Sequence, residues 1–145
     1  MFTQATPEQT KTFHQIYKSN IDKLIELFPK TFNKEFPLPL ALGSHKVIQK
    51  ATGWKPWKVH AVMAIWTARM EYVMMCCSEQ HRYDVEGNCV HMIQEDHIKN
   101  FVIRLGCFRN KQRIAEFVKA FYVKYNWPAL MNVPVNSRPD LSRWL

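Results

Sequence analysis

Apolar side chains recur at steps of three and four through Phe13, Ile16, Tyr17, Ile21, Leu24, Ile25 and Phe28, the spacing of one buried stripe on a long helix. Thr6-Pro7-Glu8-Gln9 supplies its start, with Thr6 as cap, proline at the first helical position and Gln9 able to reach back in a capping box. Pro29 ends it. Pro37 and Pro39 then enforce extended or turn backbone until Gly43-Ser44 opens a short helix that runs to Ala51 and closes at Thr52-Gly53. Lys55-Pro56 begins the next helix, whose buried face is predicted as Val59, Met63, Trp66, Met70, Val73, Met74 and Cys77. Lys58, Ala61, Ile65, Arg69 and Tyr72 step along a neighbouring strip of that same helix, giving a cationic track that ends on an aromatic ring.

The period changes after Ser78. Arg82 to Val85 and Cys89 to Ile93 alternate or run apolar around Glu86-Gly87-Asn88, which predicts a hairpin with a three-residue loop whose Gly or Asn takes positive φ. Helical spacing resumes at Ile98, Val102 and Leu105, pauses at Gly106, and returns in Ile114, Phe117, Val118, Phe121 and Tyr125 before Trp127-Pro128. The tail from Ala129 to Leu145 reads as an irregular extension. The expected fold is mainly α with a small β-hairpin (α+β). It divides into an N-terminal helical segment over 1–20, a central domain over 21–105, and a C-terminal helix and tail over 106–145.

Composition adds a partner class. The chain has 145 residues, 47% of them hydrophobic, enough for one domain to bury a core without disulfides or metal. Its 20 Lys and Arg outweigh 12 Asp and Glu, and the resulting net charge of +8 attracts phosphate polyanions. The apolar stretch Ala61 to Cys77 is interrupted by Thr67, Arg69 and Glu71, too early for a membrane span. Met1 to Ala5 lacks a secretory pattern, so a cytoplasmic location is expected and the four cysteines are read as thiols.

Zinc is disfavoured although Cys76, Cys77, His81, Cys89, His91 and His97 lie close in sequence, because adjacent Cys76 and Cys77 point to different sides of a helix. Catalysis is not expected: the chain has no phosphate-cradling glycine loop and no nucleophile elbow, and Glu71, Asp84 and Glu86 are explained as caps and surface groups. The Gly43-Ser44 entrance is the stronger candidate. Helix-start amides carry unpaired N–H groups and a positive dipole end, so a phosphate or terminal hydroxyl can be held there, although an ordinary serine cap is the plainer reading. Tyr72 and Arg82 together could hold a phosphate by hydrogen bond and guanidinium fork, against the plainer reading of a core-edge ring and a solvated cation.

Phe28-Pro29-Lys30-Thr31-Phe32, Pro39-Leu40-Ala41-Leu42-Gly43, Tyr72 and the run Arg82-Tyr83-Asp84-Val85-Glu86-Gly87-Asn88 occur in an order that resembles the ProQ/FinO family of bacterial RNA chaperones. The resemblance covers about Ile21 to Leu105. It implies a pocket for the 3′ end of a structured RNA at Gly43, Ser44 and His45. It also implies a grip on the terminal nucleotides by Tyr72 and Arg82, with Asp84 orienting Arg82. Lys46, Lys50, Lys55, Lys58 and Arg69 would follow the stem phosphates. The chain departs from the family pattern at Ala41, His60 and Ala64, where basic residues are common, at Val47 in place of Asp, at Gln94 in place of a shorter cap, and in lacking glycine within Ser78-Glu79-Gln80-His81.

RNA is therefore the expected partner, bound by a monomer without cofactor, small-molecule substrate or membrane contact. The rival from another class is a basic helical adaptor that binds a protein through its aromatic C-terminal helix. A duplex-DNA binder is disfavoured, since no helix clusters base-reading side chains.

Overall fold

The computed structural model describes residues 7–125; the Thr6 cap, the Trp127-Pro128 stop and the tail predicted from the sequence lie outside them. Helix α1 (Pro7–Leu27) ends just ahead of Pro29, as its stripe predicts. Ile21, Leu24 and Phe28 of that stripe enter the main core beside Phe32, Val59 and Trp66. Helix α2 (Ser44–Thr52) closes on Gly53, whose left-handed backbone (φ 72°) returns its N–H to the Gln49 carbonyl at 2.9 Å.

The long helix expected from Pro56 to Cys77 is two helices, α3 (Pro56–Ala68) and α4 (Met70–Glu79). Arg69 between them is extended (φ −66°, ψ 144°), and no glycine or proline marks the break. Tertiary contacts account for it. The Arg69 guanidinium lies 4.7 Å from the Trp66 ring centre and donates to the Lys34 carbonyl at 2.8 Å, so it is drawn back across α3 toward the 31–43 connector. The cationic strip from Lys58 to Tyr72 consequently does not exist as one helical face, and Ala61 within it is fully buried.

Strands β1 (His81–Tyr83) and β2 (Cys89–Met92) pair antiparallel with a bulge between Arg82 and Tyr83. Inside their loop the Asp84 N–H bonds the Asn88 carbonyl at 2.9 Å and the Gly87 N–H returns to the Asp84 carbonyl at 3.0 Å. Gly87 takes φ 88°, so glycine holds the expected left-handed position, but the loop is displaced from the predicted Glu86-Gly87-Asn88: β1 stops at Tyr83, Asp84 pairs with Asn88, and Val85 lies in the turn instead of the strand. The turn before β1 is made by Gln80 in left-handed backbone (φ 58°), a conformation that costs glycine less. Helices α5 (Glu95–Gly106) and α6 (Lys111–Tyr125) complete the described chain. Cys76 sits in the main core. Cys77 faces a second apolar cluster with Met74, Leu105 and Ile114, so the two thiols do point apart.

Candidate nucleic-acid interface

The connector from Phe28 to Gly43 is fixed against the hairpin by backbone pairing that begins at Pro39. The Tyr83 N–H donates to the Pro39 carbonyl at 2.7 Å and the Ala41 N–H to the Tyr83 carbonyl at 2.8 Å, so residues 39–41 run parallel to β1 as a short outer strand. This pairing leaves the Leu40 peptide facing inward. Tyr72 and Arg82 meet it there: the Leu40 N–H donates to the Tyr72 hydroxyl at 3.1 Å, and Arg82 Nη1 donates to the Leu40 carbonyl at 2.9 Å. Both side chains are buried, at 4% and 8% exposure. The expectation of an open phenol and guanidinium gives way to a pair that pins the loop from beneath, because an inward peptide with no partner would be costly.

Burial first, and Cys76 beside it, hold the Tyr72 phenol well above its usual range, so it stays neutral. Arg82 Nη2 reaches His97 Nδ1 at 3.2 Å. Since a guanidinium can only donate, that ring nitrogen is the acceptor of the pair. Asp84 does not orient Arg82 as expected from the resemblance; its carboxylate is taken up by the hairpin turn. Asp84 Oδ1 accepts the N–H groups of Glu86 and Asn88, each at 2.9 Å, and Oδ2 accepts from the Asn88 side chain at 3.3 Å. The bonds from Asn88, above all, lower the Asp84 pKa, and the carboxylate's work is to close the hairpin turn.

From the pinned loop the chain enters α2 through Gly43 in left-handed backbone (φ 87°). Ser44 is not the cap. Its buried hydroxyl turns back to the Ala41 carbonyl at 2.6 Å, and α2 has no side-chain cap. The Ser44 and Lys46 N–H groups bond Ala41 and Gly43 carbonyls, whereas those of Gly43 and His45 meet no partner among the described residues. Gly43 and His45 are exposed, so the helix entrance presents donors to solvent at a fixed position. Desolvation of its ring, with His60 nearby as the lesser cause, lowers the His45 pKa.

Lys46, Lys50 and Lys55 are exposed. Lys58 is half-buried, with its ammonium 5.1 Å from the Trp54 ring centre. Arg69 is brought to none of them; it is occupied by Trp66, the Lys34 carbonyl and Glu71 at 3.6 Å. In the free chain Arg69 is therefore engaged within the fold and is not brought beside the four lysines.

Residues 15–117 match the ProQ/FINO family. The chain belongs to this family. ProQ/FinO domains are RNA-binding chaperones at family level, and the arrangement of helices around one small hairpin is theirs. A ProQ homologue from Legionella pneumophila, determined in solution by NMR, is similar at a TM-score of 0.50 and 20% identity, over 72% of this chain and 87% of that one, a likeness of fold. A search of curated proteins found no match. No helix among the described residues of this ProQ/FinO domain is long and apolar enough to cross a membrane.

Three supports of the site are absent from the sequence prediction. His97 backs Arg82 from fifteen residues away, a distance at which no local pattern signals contact. Thr31 donates its hydroxyl to the Asp84 carbonyl at 2.9 Å, and Lys30 packs on Gly87. Their position inside the Phe28-Pro29-Lys30-Thr31-Phe32 motif was the available signal.

Proposed function

We propose that this ProQ/FinO domain recognises structured RNA by its free 3′ end, taking the terminal nucleotides at the entrance of α2 and the base of the stem along neighbouring lysines. The observation that carries the reading is the uncapped α2 entrance, where the Gly43 and His45 amides stand exposed on a loop pinned from below by Tyr72 and Arg82. Backbone donors at a helix start suit a terminal phosphodiester and ribose hydroxyl, and glycine lets the ligand approach the chain closely.

In this mechanism Tyr72 and Arg82 act mainly as positioning residues, and the remaining solvent edge of Arg82 adds positive potential to the pocket. Asp84 supports the hairpin against which the loop is paired. Lys46, Lys50, Lys55 and Lys58 contact stem phosphates and supply salt-dependent affinity without reading sequence. No bond is made or broken; the protein protects an RNA or favours its pairing with another.

The test is binding to a hairpin RNA with a U-rich 3′ tail, compared with the same RNA ending in a 3′ phosphate and with a blunt duplex, at two salt concentrations. A clear preference for the free 3′ hydroxyl is expected. Equal affinity for all three would leave only a basic surface, and no binding would return the protein-adaptor reading to the front.

A further inference from the structure

Between Glu35 and Glu71 the chain carries Lys46, Lys50, Lys55, Lys58 and Arg69 and no carboxylate. Four of these cations are on or beside α2 and the start of α3. Trp57 stands among them in the first turn of α3 with 60% of its surface exposed. The core does not need it: Val59, Val62, Met63 and Trp66 complete the buried side of α3, and Trp54 is the ring that packs against the main cluster. An exposed indole flanked in sequence by lysines joins an open π-face to positive potential, the two features that a nucleobase and its neighbouring phosphates would meet.

His60 lies one turn further along α3 than Trp57, with its ring edge-on to Phe13 at 5.9 Å, and it is near enough to His45 of α2 to bear on it electrostatically. We infer that Trp57 is a stacking platform for an unpaired nucleobase of the bound RNA, a contact additional to the 3′-end pocket. The inference rests on the RNA-binding reading. Every base offers a π-face, so the platform adds affinity without base identity, while Lys55 and Lys58 on either side hold the neighbouring phosphates.

Stacking and phosphate contacts leave different signatures. A lost phosphate contact flattens the dependence of affinity on salt, whereas a lost stack weakens binding at every salt concentration alike. The experiment measures affinity of the wild-type chain, Trp57→Ala and Trp57→Phe for a hairpin RNA with unpaired flanks, and for the same RNA made abasic at each unpaired position in turn. Trp57→Ala should lose roughly tenfold in affinity with the salt slope unchanged. Trp57→Phe should retain most of the binding. One abasic position should weaken the wild type by the same factor and leave Trp57→Ala unaffected, the coupling expected of two groups in contact.

Wild-type affinity in Trp57→Ala overturns the inference and marks the indole for another partner. A loss that is the same for every abasic RNA also overturns it, since no base then faces the ring. If the preference for a free 3′ hydroxyl persists in either case, the RNA reading stands without the platform. If no hairpin RNA binds at all, both fall together. Matching thermal unfolding of the three proteins confirms that an exposed side chain was changed and not the fold.

Discussion

The hydroxyl of Tyr72 accepts the inward N–H of Leu40, and removing that one oxygen isolates a buried donor. Tyr72→Phe should cost about 1–3 kcal/mol of stability, read from urea unfolding, because the ring still fills its place while the peptide loses its partner. Affinity for 3′-tailed RNA should fall with it, by loosening of the loop. An unchanged unfolding midpoint would show that the loop does not depend on this bond. Asp84 sets a pH dependence of defined sign. Its folded pKa is lowered, chiefly by the bonds from Asn88, so its contribution is complete above the ordinary carboxylate value of about 4 and is lost as pH falls through the lowered one. Asp84→Asn keeps an accepting oxygen and removes the titration. The variant's stability should therefore decline less steeply than the wild type's in that acid window, measured by thermal unfolding across pH, while the two curves run parallel at neutral pH.

The two ends of α2 are both left-handed glycines with open space where a Cβ would sit, Gly43 at φ 87° and Gly53 at φ 72°. Alanine at either should cost about 1–2 kcal/mol through backbone strain alone. Only Gly43→Ala should also weaken the preference for a free 3′ hydroxyl, so Gly53→Ala serves as a control of equal stability in the binding assay. A matching loss in both variants would place the effect in α2 as a whole. This element was legible in the sequence because glycine, proline and the helical period all punctuate the chain at its ends. The break between α3 and α4 was not: Val59, Met63, Trp66, Met70 and Val73 keep helical spacing across it, and all of them are buried as that spacing predicts. What interrupts the helix is Arg69 reaching Lys34, thirty-five residues back, a tertiary bond with no local signature. The same holds at the site, where the motif order identified Tyr72, Arg82 and Asp84 but not their partners. Tyr72 and Arg82 are engaged by the Leu40 peptide, which only the folded connector brings near, whereas the Asp84 carboxylate is held by its own turn, at Glu86 and Asn88.

Across the whole molecule, a charge of +8 permits binding to any polyanion, and the fold decides which cations take part. Lys46 and Lys50 are one helical turn apart on α2 and exposed, so they share a face and can track successive phosphates. Arg69 carries the same charge but is held by Trp66, Lys34 and Glu71, with 19% of its side chain exposed. Net charge alone would rank the three as equivalent. Packing separates them, and the dependence of affinity on salt measures the separation. For each phosphate contact removed, the slope of log affinity against log salt should fall by about 0.7–0.9. Lys46→Ala and Lys50→Ala should each lower it by that amount with stability unchanged. Arg69→Ala should instead lower the thermal midpoint and leave the slope alone, because it loses a ring contact and a carbonyl bond and no phosphate. A slope change in Arg69→Ala equal to that of the lysines would mean that Arg69 leaves its internal partners when RNA binds, and that the junction between α3 and α4 rearranges in the complex.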